Sequence, residues 1–201
     1  MPITINGSGT ITGISAGGLP DNCVTAADLA TTLDLSSNTV TLPSGTGGKI
    51  LQVVTTAYTG QFSTSSANTY QQVTGLNCSI TTASNSSKVL VMVTLGQMST
   101  TSNATASYAV TRAGTRILLG AADGNRGTCS FKYCNPSSSH SDGTTFTGID
   151  TPGTAGTYVY GLQAVAQGGC TNHINRTDVN SNLNDSYEFR GSSHITLMEI
   201  A

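Results

Sequence analysis

The sequence predicts an all-β chain: a jelly-roll-like β-sandwich of eight or nine strands with a Gly/Ser/Thr-rich N-terminal arm that contains one short helix. Three observations predict it. Beyond residue 49, apolar residues recur with period two in short runs, as in Val89-Val91-Val93-Leu95 and Tyr158-Tyr160-Leu162-Ala164, and no useful stretch shows a helical period. Clusters of Gly, Ser, Thr and Asn punctuate those runs at turn-like intervals. Charged residues make up 9% of the chain, against roughly 25% in ordinary soluble domains, so its polar surface is built mainly from neutral hydroxyls and amides.

The elements follow in order. Residues 1–47 read as an arm: Ile3, Ile5, Ile11 and Ile14 are spaced by Gly, Ser and Thr, too thinly to build a core of their own. Thr25 and Asp28 imitate a capping box, and Leu29 and Leu33 fall on one face at i, i+4, which predicts a two-turn helix. Two turns are marginal alone, so this helix is expected to dock against copies of itself or a partner. Residues 48–201 form the second domain. Its predicted strands are 50–58, 70–81, 88–97, 104–112, 116–122, 128–132, 144–150, 157–166 and 193–200, with a hairpin turn over Arg112–Arg116 that uses Gly114. The terminal run Ile195-Thr196-Leu197 would waste its burial on a loose tail, so it is expected to pair inside a sheet, beside Ile50–Val54. Two long polar connections, 134–144 and 168–188, are the natural places for recognition.

Composition limits the function. The net charge is −2 and the eight basic residues are scattered, which argues against a nucleic-acid partner. No apolar run approaches the roughly 18 residues of a membrane span, and Met1-Pro2-Ile3-Thr4 lacks the look of a signal peptide. Five cysteines cannot all pair within one chain and read as free thiols, with a local Cys129–Cys134 bridge as the alternative.

The motifs for chemistry are poor. Gly13-Ile14-Ser15-Ala16-Gly17 fits a nucleophile elbow, but the Gly18-Leu19-Pro20 that follows cannot begin the required helix. Asp178-Val179-Asn180-Ser181-Asn182 begins like a calcium loop and then places Leu183 where Gly is needed. His140, His173 and His194 lack the paired spacing of a zinc site. Asp142, Asp150, Asp178, Asp185, Glu188 and Glu199 offer carboxylates for glycan cleavage, with no spacing that singles out a pair. No cofactor, metal or catalytic residue is expected.

Four stretches carry a resemblance: Gly18-Leu19-Pro20-Asp21-Asn22-Cys23-Val24-Thr25-Ala26-Ala27-Asp28-Leu29-Ala30, Gly47-Gly48-Lys49-Ile50-Leu51-Gln52-Val53-Val54, Asn85-Ser86-Ser87-Lys88-Val89-Leu90-Val91-Met92-Val93, and Ser192-Ser193-His194-Ile195-Thr196-Leu197-Met198-Glu199-Ile200. With these the chain resembles small fibre proteins of tailed bacteriophages, particularly of cyanobacterial and other aquatic hosts. The resemblance implies a homotrimeric tail fibre in the virion, assembled in the host cytoplasm and exposed outside the cell. Its arm would attach to other virion proteins, with Ile3, Ile5, Ile11 and Ile14 as attachment residues. Its head would be a jelly roll like those of C1q and tumour necrosis factor, with first and last strands adjacent near the three-fold axis. That places Leu29, Leu33, Leu51, Val53, Tyr158, Tyr160, Ile195 and Leu197 at the subunit contact or in the core. Ile195 and Leu197 are accordingly expected to lose exposure on trimerisation.

Exposed polar and aromatic loop residues suit contact with a host-surface glycan or protein, and Asn125, Arg126, Lys132, Tyr133, His140 and Asp142 are the candidates. A collar or head fibre, decoration protein or adaptor without a receptor is the alternative, and a polysaccharide depolymerase a third reading.

Overall fold

The computed structural model describes residues 50–101, 104–134, 141–179 and 189–201. The chain divides into Met1–Gly47 and Gly48–Ala201, and the described residues belong to the second unit. Ile3, Ile5, Ile11, Ile14, Leu29, Leu33, the helix expected around 25–33, and His140 lie outside them.

Among the described residues every element is a strand: β1 (Ile50–Tyr58), β2 (Phe62–Thr64), β3 (Gln71–Thr82), β4 (Lys88–Thr100), β5 (Thr105–Arg112), β6 (Thr115–Ile117), β7 (Phe131–Cys134), β8 (Asp142–Asp150), β9 (Gly156–Ala166), β10 (Asn172–Ile174) and β11 (Ser193–Ile200). They form two antiparallel sheets. In the first, β4 pairs with β8 along one edge, while its other edge takes β11 over Lys88–Thr94 and β10 over Met98–Thr100. Outside these, β11 pairs with β1 and β10 with β2. In the second, the order is β3-β9-β5, and the free edge of β5 takes β7 at one end and β6 at the other. The expected pairing of the last strand with the first is therefore present, in register from Gln52↔Glu199 to Tyr58↔Ser193.

The two sheets form a β-sandwich because each turns one parity of its alternation inward. Val89, Val91, Val93, Leu95, Ile195 and Leu197 of the first meet Val73, Ile80, Tyr108, Val110, Tyr160 and Leu162 of the second. Each fully buried Val, Leu or Ile contributes about 1.5–3 kcal/mol, and together they offset the entropy of ordering so many Ser and Thr residues.

Polar bonds cross between the sheets where the apolar layer ends. Tyr108 Oη donates to Asn172 Oδ1 at 2.7 Å. Arg112 pairs with Asp150 at 2.6 Å, and Tyr160 Oη donates to the same carboxylate oxygen at 2.7 Å. Glu199, wholly buried, accepts from Gln52 Nε2 (2.6 Å), the Ala83 backbone N–H (2.6 Å) and Ser87 Oγ (2.7 Å), tying β1 and β11 to the turn between β3 and β4.

Some boundaries differ from the sequence expectation. The hairpin after Arg112 is a two-residue turn with φ of +48° at Ala113 and +79° at Gly114, the left-handed pair that suits strand twist. The strand expected over 116–122 stops at Ile117 because Leu118 takes φ +54°. The strand expected over 128–132 sits instead at Phe131–Cys134, and β2 and β10 are additional. Cys78, Cys129, Cys134 and Cys170 are free thiols, so the alternative Cys129–Cys134 bridge is not formed.

Candidate functional site

The outer faces of the two sheets differ in chemistry. On the first sheet the outward residues fall into cross-strand rows, because antiparallel register sets them side by side. One row runs Val53, Met198, Leu90, Ile149 across β1, β11, β4 and β8. Val53 is 54% exposed and Ile149 53%, and Ile50 and Leu51 near the same end of β1 are also exposed. The next row is Thr55, Thr196, Met92, Thr147, and the one after it Ala57, His194, Thr94, Thr145. This face is an apolar band running into a threonine field.

Strand parity corrects one expectation here. Ile195 and Leu197 are 0% exposed within the single chain, so they have no exposure left to lose on assembly. Their neighbours His194, Thr196, Met198 and Ile200 carry the outward face of β11. Leu51 and Val53 are outward as a contact would require, whereas Tyr160 is wholly buried. Tyr158 is half-buried against the core, its hydroxyl donating to the Thr154 carbonyl at 2.8 Å and the Arg112 guanidinium 5.6 Å from its ring centre.

The second sheet carries an open groove of about 960 Å³ on its outer face. Its floor is the outward parity of β5 and β9, including Thr105, Ser107 and Gln163, and its walls are the segments around Tyr70, Asn125-Arg126 and Gln167. Tyr70 Oη donates to the Thr128 carbonyl at 2.9 Å, which fastens the 122–128 segment to the start of β3. The Arg116 guanidinium carbon lies 4.4 Å from the centre of the Tyr70 ring, a cation–π contact. Burial raises the Tyr70 phenol pKa, with the nearby Cys129 thiol adding to it and Arg116 opposing, so Tyr70 stays protonated near pH 7. Arg126 pairs with Asp123 at the exposed rim.

The six candidate contacts therefore separate. Asn125 and Arg126 line the groove. Lys132 stands beside it on the exposed face of β7, directly opposite Ser107. Tyr133 is overturned as a surface contact: it is only 6% exposed and packs in the core, because it holds the inward parity of β7, and burial pushes its phenol pKa up to about 12. Asp142 is exposed on the first sheet, in a smaller hollow with Gln97 and Phe189. His140 lies outside the described residues.

A third constellation has the composition of a nucleophilic triad. Ser63 Oγ is 2.8 Å from His173 Nδ1, and His173 Nε2 is 3.2 Å from Asp178 Oδ1. Relative to the serine-protease arrangement the two ring nitrogens are exchanged. Burial, with Arg176 adding to it, lowers the His173 pKa, so the ring is neutral near pH 7. A neutral ring has one donor and one acceptor; Asp178 takes the Nε2–H, and Nδ1 accepts from Ser63. Ser99 Oγ donates to the Arg176 carbonyl at 2.8 Å beside it. These bonds fold the 175–178 turn onto the sheet and join it to β2 and β4.

Of the acids, Asp150 and Glu199 flank Val89 from opposite sides, the first held by Arg112 and Tyr160 and the second by its three donors. Arg116, Tyr70 and Glu199 carried no local sequence signal, since each acquires its role from residues far away in the chain.

No family model matches the chain, and no curated protein matches it. Among solved structures, it is similar to one of infectious bursal disease virus, Gx strain, at 12% identity and a TM-score of 0.34. The match covers 81% of this chain, and the chain spans 41% of that one. Likeness at that level carries no functional argument.

Proposed function

We infer that the chain is a structural protein of a virion, a homotrimeric bacteriophage tail fibre whose head contacts the host surface and does no catalysis. One observation carries this reading: the apolar row Val53, Met198, Leu90 and Ile149 across the outer face of the β1-β11-β4-β8 sheet. Contiguous exposed apolar surface on a soluble domain marks a contact. In the cross-strand rows from Val53 to His194 and Thr145 the one titratable group is His194, so copies of the face meet without like-charge repulsion.

The strand order supports the finer reading. First and last strands adjacent, in a sheet continued by β4 and β8 and facing a second sheet β3-β9-β5, is the order expected of the jelly roll of C1q and tumour necrosis factor. In that arrangement the sheet holding the first and last strands faces the three-fold axis. The polar groove on the opposite sheet then faces outward, which favours a receptor-binding fibre over a collar or decoration protein.

Light scattering coupled to size exclusion tests assembly. The full chain is expected at three times its 20.5-kDa mass; a stable monomer removes the fibre reading. Antibody labelling of particles by electron microscopy, with signal expected at the tail, tests the location.

A further inference from the structure

We propose that the groove on the outer face of the second sheet binds an acidic polysaccharide, with Arg116 anchoring the anionic group of the sugar. The proposal rests on the reading of this domain as a host-facing head, and adds the ligand's chemical class and its anchor.

The charge pattern of the groove points that way. Among the described residues no Asp or Glu lines it, while Arg116 and Arg126 do. Lys132 adds a third cation at the border, beside Ser107. Three of the chain's eight basic residues thus gather on one face of a protein whose net charge is −2. The three are not equivalent. Arg126 is paired with Asp123, whereas no carboxylate among the described residues lies within ion-pair distance of Arg116.

Arg116 is also held ready. Its guanidinium makes a cation–π contact with Tyr70, and the Tyr70 hydroxyl is fixed to the Thr128 carbonyl. A guanidinium carries five N–H donors, so one restrained against the tyrosine still has donors to offer a carboxylate or sulfate. Around it stand neutral groups that suit sugar hydroxyls. The side chains of Asn125 and Ser107 have no hydrogen-bond partner among the described residues, and Gln163 donates once, to the Gly114 carbonyl at 3.3 Å.

The aromatic arrangement narrows the ligand. Among the described residues Tyr70 is the one aromatic lining the groove, and the Arg116 guanidinium already lies against its ring. Neutral glycans usually gain from stacking on an open ring and nucleic acids from stacking their bases on one. Here the available energy is a restrained cation with neutral hydrogen-bonding groups, in an open trough at the upper end of the size of small-ligand clefts. A polyanion with hydroxyl-rich rings matches both.

The experiment is calorimetric titration of the full chain with polygalacturonate, dextran sulfate and neutral dextran at equal monomer concentration, with an oligodeoxynucleotide as a second polyanion. Binding to polygalacturonate or dextran sulfate is expected, weakening as salt rises, with none to dextran; which polymer binds tells carboxylate from sulfate recognition. Arg116→Gln should weaken that binding about tenfold or more, and Asn125→Asp, which adds an anion to the groove, should weaken it as well. Both positions are exposed, so both variants should unfold in one cooperative transition, with Arg116→Gln melting a few degrees lower at most through the loss of its contact with Tyr70. Binding to neither acidic polymer, equal binding to dextran, tighter binding to the oligonucleotide, or an Arg116→Gln variant with unaltered affinity overturns the proposal. A trimer that adheres to host cells yet ignores both acidic polymers overturns only this inference, whereas a monomer that binds polygalacturonate overturns only the fibre reading.

Discussion

Glu199 is a carboxylate with no exposure and, among the described residues, no ion-pair partner, held by three donors, two of them uncharged side chains and one a backbone N–H. A buried charge is tolerable only when its lone pairs are met, and the Ser87, Ala83 and Gln52 donors, in that order of weight, hold its pKa below the ordinary 4.5. Because the folded value is depressed, the stabilisation is present above pH 4.5 and is lost as pH falls through the folded value. Glu199→Gln should destabilise by about 1.5–3 kcal/mol, the usual worth of hydrogen bonds to a charged group, and should flatten the acid limb of a plot of stability against pH obtained by urea denaturation. His173 acts in a higher window. Its folded pKa is lowered from 6.5, so below about 6.5 the unfolded chain takes a proton that the fold resists, and stability declines as pH falls from there toward the folded value. Well above pH 7 the ring is neutral in both states and contributes nothing to this dependence. His173→Gln should remove the slope that sets in below about pH 6.5 while leaving the acid limb due to Glu199, and a slope unchanged in both variants would mean that other groups govern acid unfolding.

At the scale of the element, β11 illustrates what alternation decides and what it leaves open. Its period of two was legible, as was its pairing with β1, since the apolar runs at 50–54 and 195–200 both need a partner. Which parity faced the core was not legible, because Ile195 and Leu197 on one face and Met198 and Ile200 on the other are both apolar pairs. Register settles it through Glu199, which must lie inward to reach Ser87 and Ala83. The three-residue strands β2 and β10 were invisible, since Phe62-Ser63-Thr64 and Asn172-His173-Ile174 each offer a single large apolar residue and exist as strands only by pairing with each other and with β4. The groove was only half legible: Asn125 and Arg126 announce an exposed turn, but nothing local joins them to Tyr70, Arg116 and Gln163, which the crossings of β3, β9 and β5 bring together. Because β11 fills the space between β1 and β4, deleting residues 194–201 removes Ile195 and Leu197 from the core and leaves two strand edges unpaired. That truncation should abolish the cooperative thermal transition in circular dichroism as well as assembly, and a variant that still melts cooperatively would show that β11 is dispensable to the fold.

At the scale of the molecule, one sandwich presents two outer faces of opposite character, and the low charge of the chain sharpens the contrast. On the first sheet a threonine field and an apolar row offer a surface that copies of itself can cover, and on the second the cations gather about a polar trough. If the first face is the contact between subunits, it can be disrupted without touching the core. Val53 and Ile149 are about half exposed in the single chain, so charging them should cost the subunit little; surface changes away from caps and cores usually stay within about 0.5 kcal/mol. A desolvated lysine in a tightly packed contact costs far more, because the charge loses its water without gaining a partner. The double variant Val53→Lys, Ile149→Lys should therefore run as a monomer in light scattering, with the circular dichroism spectrum of the parent and a melting temperature that no longer rises with protein concentration. A double variant that keeps the mass of the parent assembly would move the subunit contact to another face, and with it the reason for calling the groove outward.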